Sequence, residues 1–104
     1  MKYRVLCVED DEVDRRALKR RFERAQLPFE PEFVESVQAA ITSTEERCPD
    51  IVLLDWTLQD GSGKLYLDHV SKHVPWLPVV VLTGGSEDLA TETLLTGAQD
   101  FLIK

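Results

Sequence analysis

Two stretches of this chain are apolar at every position: Ile51-Val52-Leu53-Leu54 and Val79-Val80-Val81-Leu82. A strand with one wet face alternates polar and apolar residues, so an unbroken apolar strand needs cover on both faces. That requirement points to a parallel sheet with helices on either side. The rest of the chain supplies the helices. Residues 14–25 place Ala17, Leu18, Phe22 and Ala25 on one side, with Val13 just before, and Arg15, Arg16, Lys19, Arg20 and Arg24 on the other. Residues 36–47 repeat the helical spacing with Val37, Ala40 and Ile41, and Ser36 suits an N-cap. Residues 64–73 read as a helix with Leu65, Leu67 and Val70 inward, and residues 87–96 as a weaker helix stopped by Gly97.

Strand patterns fall between these helices. Residues 3–8 run apolar into acids, 32–34 read as a short edge strand, and 101–103 begin a fifth strand. Pro28 ends the first helix, Asp60-Gly61-Ser62-Gly63 reads as a turn, Pro75 and Pro78 bracket a connection, and Gly84-Gly85-Ser86 reads as a loop. The order is βαβαβαβαβ. Right-handed crossovers turn that order into a doubly wound α/β sheet, and sites in such sheets lie at the C-terminal strand ends.

Those ends carry chemistry. The first strand runs into Glu9-Asp10-Asp11-Glu12, the third ends at Asp55, the fourth at Thr83 and the fifth at Lys104. Two unit charges about 4 Å apart repel by about 4 kcal/mol at an effective dielectric of about 20, so gathered carboxylates need a neutralising partner. Oxygen-only ligands with water access favour Mg²⁺. A metal, the Lys104 ammonium, the Thr83 hydroxyl and one central carboxylate suit a phosphoryl group on Asp55, because that chemistry needs positioning and charge neutralisation. The plainer reading, acids that only cap the next helix, accounts for Glu9-Asp10-Asp11 but not for Asp55, Thr83 and Lys104 converging on the same edge.

The set Val8-Glu9-Asp10-Asp11, Asp50-Ile51-Val52-Leu53-Leu54-Asp55, Asp60-Gly61-Ser62-Gly63, Pro78-Val79-Val80-Val81-Leu82-Thr83-Gly84 and Gly97-Ala98-Gln99-Asp100-Phe101-Leu102-Ile103-Lys104 resembles the receiver domain of two-component response regulators. The resemblance covers essentially the whole chain. It implies a flavodoxin-like five-stranded parallel sheet in the order 2-1-3-4-5. It implies Asp55 as phosphoacceptor, Glu9 and Asp10 as Mg²⁺ ligands (Asp10 directly, Glu9 through water), and the Thr57 carbonyl as a further ligand. Thr83 would be the switch hydroxyl, Lys104 the lysine that pairs with phosphoryl oxygen, and Phe101 the aromatic that moves with Thr83. A histidine kinase or phosphotransfer protein would be the donor, and the product an altered surface around the fourth helix and fifth strand.

Some positions depart from the family pattern. Gln59 stands where proline is usual, Gly84-Gly85 loosens the loop after Thr83, and Phe101 lacks a tyrosine's hydroxyl. Family members continue past the lysine with a fifth helix; here the sequence stops at Lys104. The expectation for residues 1–104 is therefore a receiver domain truncated after its fifth strand, lacking the last helix and leaving one sheet face partly uncovered. That face, or the fourth-helix and fifth-strand face, could seat a homodimer.

Composition narrows the classes. Twelve Lys and Arg against nineteen Asp and Glu give a net charge of −7, which argues against direct nucleic-acid binding by this domain. No apolar run nears the ~20 residues of a membrane span, and the start lacks a signal peptide's apolar stretch, so a cytoplasmic module is expected. Cys7 and Cys48 fit no common zinc spacing and read as buried or half-buried free thiols. The arginine stripe of the first helix reads as a solvated face paired with Glu23 and the acidic site, and secondarily as a donor-docking surface. His69 and His73 have a spacing that can hold a metal, but no neighbouring acid or thiol cluster accompanies them, and they read as surface residues. Trp56 is either exposed beside the site or packed; Trp76 reads as a loop anchor.

Two other functions compete with the phosphorylation switch, which is not an enzyme in the metabolic sense. One is a receiver-like domain kept only for binding or dimerisation. The other is a small Mg²⁺-dependent aspartyl-phosphate hydrolase, disfavoured because Thr57 stands where such enzymes place a second carboxylate two residues after the nucleophile.

Overall fold

The computed structural model describes residues 2–26, 28–58, 61–83 and 98–103, with 57–58, 61–62, 83 and 101–103 described by backbone alone. Elements run β1 (Tyr3–Val8), α1 (Glu12–Ala25), β2 (Phe29–Val34), α2 (Val37–Glu46), β3 (Ile51–Asp55), β4 (Thr57–Leu58), β5 (Gly61–Ser62), α3 (Gly63–His73), β6 (Val79–Thr83) and β7 (Asp100–Ile103). Five of the strands form one sheet in the order β2-β1-β3-β6-β7, every neighbouring pair parallel. This is the expected 2-1-3-4-5 arrangement. The helix expected over 87–96 lies outside the described residues. Among the described residues no helix is long and apolar enough to cross a membrane.

Strand register sorts the side chains into two faces. Leu6 pairs with Val52 and Val8 with Leu54, while Val52 and Leu54 pair in turn with Val79 and Val81. These six belong to one buried cluster with Tyr66, Leu67 and Val70 of α3 and Val37 and Ala40 of α2, so α2 and α3 close this face. The intervening residues Val5, Cys7, Ile51, Leu53 and Val80 point the other way. There Phe22 of α1 meets Phe29 of β2 edge to face, ring centroids 6.3 Å apart, so α1 lies on this second face. No residue of α1 is fully buried, and Ile51, Leu53, Val80 and Leu82 remain half-buried. On this face Val5 and Cys7 of β1 are buried, so less cover is missing than the sequence reading expected.

Local chemistry sets the element ends. The Asp11 side chain accepts from the Asp14 amide at 3.0 Å, so α1 starts at Glu12, two residues before the helical spacing becomes visible. It ends at Gln26, whose φ of 51° breaks the helix in the left-handed region. Ser36 caps α2 as expected, accepting from the Ala39 amide at 3.0 Å. The second strand is longer than the expected 32–34. It pairs with β1 along all six residues, and Pro31 is tolerated because β2 is the sheet edge. The expected turn at Asp60–Gly63 is partly a small antiparallel ribbon, Thr57 opposite Ser62 and Leu58 opposite Gly61.

Three expectations are corrected. Leu65 is 54% exposed, and Tyr66 is the inward residue of α3. Gly63, Tyr66, Leu67 and Val70 recur at three- and four-residue spacing and form the buried stripe, which Leu65 falls beside. Tyr66 can be buried because its hydroxyl sits 2.8 Å from Thr44 Oγ1, which in turn donates to the Ala40 carbonyl at 2.8 Å. Burial pushes the Tyr66 phenol up to about 12. Trp76 does not anchor its loop: it is 76% exposed, and the neighbouring Leu77 is buried instead. Cys48 is exposed, whereas Cys7 is buried as expected, its thiol pushed up to about 12 by burial. The arginine stripe meets the acidic segment as expected, Arg16 pairing with Glu12 at 2.6 Å, and Arg15 also pairs with Glu35 at 3.0 Å.

Candidate functional site

The main sheet delivers its first and third strands side by side, and their C-terminal ends deliver three acids. Glu9 follows β1, and its amide continues the ladder by donating to the Val34 carbonyl at 3.0 Å. Its side chain is buried, with Oε1 accepting from the Asp11 amide at 3.1 Å. Asp10 is half-buried beside it. Asp55 closes β3, level with Leu82 of β6, and is buried at 6% exposure. Trp56, next in the chain, is also buried, which resolves its two readings in favour of packing; its amide donates to the Leu82 carbonyl at 3.1 Å.

Oxygens of Glu9, Asp10 and Asp55 lie within 4.8 Å of one another. Repulsion at such a separation is on the order of 3–4 kcal/mol per charged pair at an effective dielectric of about 20, and the partial burial of the cluster removes solvent screening. A divalent cation relieves it directly. Ligand oxygens around octahedral Mg²⁺, at about 2.0–2.1 Å from the ion, are separated by about 2.9 Å for adjacent and about 4.1 Å for opposite positions. The observed spread exceeds the larger figure by less than an ångström, a gap that small rotations of the carboxylates close. All three donors are hard oxygens, which suits Mg²⁺ or Mn²⁺ over softer ions.

The other expected residues divide into two groups. Thr57 lies in β4, two residues beyond Asp55. Thr83 ends β6, one residue past the level of Asp55, with its backbone opposite Ile103 of β7; Phe101 lies in β7 opposite Val81. These three are described by backbone alone. Lys104 lies outside the described residues.

Two residues contribute in ways the sequence reading did not specify. Arg15 reaches back from the first turn of α1, Nη1 donating to the carbonyls of Glu9 at 3.2 Å and Asp10 at 3.0 Å, while Nη2 meets Glu35 Oε1. It clamps the backbone beneath the acids. Gly63 lets α3 abut β3: a Cβ there would fall 2.9 Å from the Asp55 carbonyl oxygen and 3.1 Å from the Trp56 ring. Its amide donates to the Trp56 carbonyl at 2.8 Å. The glycine at the start of a helix was a visible signal; a guanidinium five residues past the acids, read as part of a charged stripe, was not.

Comparison with known proteins agrees with this geometry. A family model described as the response regulator receiver domain matches residues 5–104. The phosphate regulon transcriptional regulatory protein PhoB of Escherichia coli (strain K12) is 36% identical over 107 residues, covering 100% of this chain and 46% of its own length. The chain thus spans about half the length of this curated relative. Among solved structures, the signal receiver domain of a putative Luxo repressor protein from Vibrio parahaemolyticus superposes with a TM-score of 0.86 at 32% identity, covering 100% of this chain and 79% of that one. A response regulator structure from Chloroflexus aurantiacus gives a TM-score of 0.92 at 24% identity, covering 100% and 86%, and supports the fold alone.

Proposed function

The chain belongs to the response regulator receiver domain family, and on that premise we propose that Asp55 is the residue that accepts a phosphoryl group. The donor is a phosphohistidine of a histidine kinase or phosphotransfer protein, or a small acyl phosphate. An Asp55 oxygen attacks phosphorus and a new O–P bond forms; the donor's N–P bond, or the acyl O–P bond of an acyl phosphate, breaks, and its electron pair returns to the donor's nitrogen or carboxylate oxygen. Glu9 and Asp10, with Asp55 and the Thr57 carbonyl, would hold Mg²⁺, which when bound neutralises charge on the phosphoryl oxygens. Burial of Asp55 limits water at the reacting oxygen, and the Arg15 clamp keeps the acid loop in place.

In this reading Lys104 pairs with a phosphoryl oxygen, the Thr83 hydroxyl closes on another, and Phe101 repacks as Thr83 moves. Residues 1–104 act as a cytoplasmic signalling module of a two-component system, switched by charge rather than turning over a metabolite.

One observation carries the reading: three carboxylates from two adjacent strand ends held within 4.8 Å. Incubation with acetyl phosphate and Mg²⁺, followed by intact mass measurement, tests it. A single phosphoryl adduct that needs Mg²⁺, vanishes in Asp55→Asn and drops sharply in Asp10→Asn is expected. An adduct that survives Asp55→Asn, or none in folded wild-type protein, overturns it.

A further inference from the structure

Away from the acidic edge, α2 and α3 bring together a second set of metal-ligating side chains. His69 and His73 lie four residues apart on α3, their ring centroids 4.6 Å apart with planes inclined by 40°. Residues at this spacing sit one above the other on a helix face, the arrangement by which paired histidines chelate zinc. An acid reaches the pair from the neighbouring helix: Glu45 Oε1 of α2 is 3.8 Å from His69 Nε2. Both imidazoles and Glu45 line one cleft of about 410 Å³, whose wall also includes Cys48 and Trp76.

We propose that His69, His73 and Glu45 form a site for a borderline dication of the zinc class, with water completing its coordination. Donor chemistry separates this site from the acidic one. Imidazole prefers Zn²⁺, Cu²⁺ or Ni²⁺, whereas three carboxylates favour Mg²⁺. Position separates them too. Gly63, at the start of α3, abuts Asp55, while His73 is the last residue of the helix, about 15 Å further along at ~1.5 Å per residue.

The scaffold is already set. The Thr44–Tyr66 hydrogen bond ties α2 to α3 one residue before Glu45 and three before His69. The His69 side chain is only 18% exposed, so its ring is held, whereas the Glu45 side chain is 64% exposed and free to rotate onto the ion. Closing the set needs Glu45 and His73 to turn their ligand atoms toward His69, rotations that cost little because both side chains are exposed. A bound ion would staple the two helices and stabilise the folded chain by mass action.

Calorimetric titration of ZnCl₂ into tag-free, chelator-stripped chain tests the proposal, with excess Mg²⁺ present to occupy the acidic edge. One equivalent binding with micromolar affinity and a rise in Tm is expected. His69→Gln and His73→Gln should each weaken binding by about tenfold or more, Glu45→Gln by less, and Asp10→Asn should leave it intact. Co²⁺ should give the visible absorption of a low-coordinate ion in wild type and lose it in both histidine variants. His73 is exposed, so His73→Gln should keep the far-ultraviolet dichroism of wild type, which separates lost binding from lost fold. Absence of stoichiometric binding, wild-type affinity in the His69→Gln/His73→Gln double variant, or loss of zinc binding in Asp10→Asn overturns the proposal.

Discussion

The two faces of the sheet use alternate residues of the same strands and meet different fates. On the face closed by α2 and α3, Leu6, Val8, Val52, Leu54, Val79 and Val81 are buried against Tyr66, Leu67 and Val70. On the face under α1, Val5 and Cys7 of β1 are buried, but Ile51, Leu53, Val80 and Leu82 stay half-buried, and α1 itself buries no residue completely. Leu53 and Leu54 are adjacent and chemically identical. A strand sequence states how much cover it can use; the helices decide how much each face receives.

The largest test of that contrast is a pair of truncations. Leu54→Ala removes a wholly enclosed side chain and should cost about 2–5 kcal/mol, while Leu53→Ala should cost clearly less, about 1–2 kcal/mol, because part of its surface already meets water. Urea unfolding of both variants reads the difference, and equal losses would show that the two faces are packed alike.

Gly63→Ala probes the tightest contact on the closed face. The added methyl meets the Asp55 carbonyl oxygen at 2.9 Å, so a destabilisation of about 1–3 kcal/mol is expected. Phosphoryl uptake should slow with it, measured by intact mass over time. A wild-type Tm and wild-type rate would show that α3 can shift away from the acceptor strand without consequence.

A smaller effect comes from the hydroxyl pair inside that face. Tyr66→Phe leaves Thr44 still bonded to the Ala40 carbonyl, so a loss of about 1 kcal/mol is expected at neutral pH. At high pH the order changes. The Tyr66 phenol, ordinarily near 10, is raised to about 12 in the fold, so the folded state holds its proton more tightly than the unfolded chain. Stability from this group is complete below pH 10 and is lost as pH rises toward 12. Unfolding followed from pH 9 to 12 should show that decline in wild type and a shallower one in Tyr66→Phe.

The last test asks how far α1 shields its own face, and changes reactivity rather than stability. Cys7 lies there but is fully buried, with its thiol pushed up to about 12, whereas Cys48 is exposed. At pH 8 a thiol reagent should modify one cysteine in the native chain and two in denaturant, with the native reaction lost in Cys48→Ser. Rapid native modification of Cys7 would mean that α1 is not seated on β1.

Much of this was legible in the residues. Unbroken apolar runs gave the parallel sheet, strand-end acids gave the cluster of Glu9, Asp10 and Asp55, and Ser36 behaves as its type predicts. The failures have physical causes. Proline hid the start of β2, because the rule against it inside strands relaxes at a sheet edge. Hydrophobic spacing favoured Leu65 over Tyr66, because a pattern cannot foresee that Thr44, from another helix, would satisfy a buried hydroxyl. His69 looked isolated because its acid neighbour is 24 positions earlier in the chain, and only the packing of two helices makes them adjacent. Arg15 was expected to pair with the acidic site, but its grip on the main-chain oxygens of Glu9 and Asp10 is a contact that no side-chain pattern announces.

That arginine has a structural consequence. By bonding the carbonyls of Glu9 and Asp10 while pairing with Glu35, it links the first helix, the acidic loop and the segment after the edge strand through one side chain. The anchor is main-chain hydrogen bonding at one end and an exposed ion pair at the other, so high salt should weaken the Glu35 end and leave the grip on the acidic loop in place.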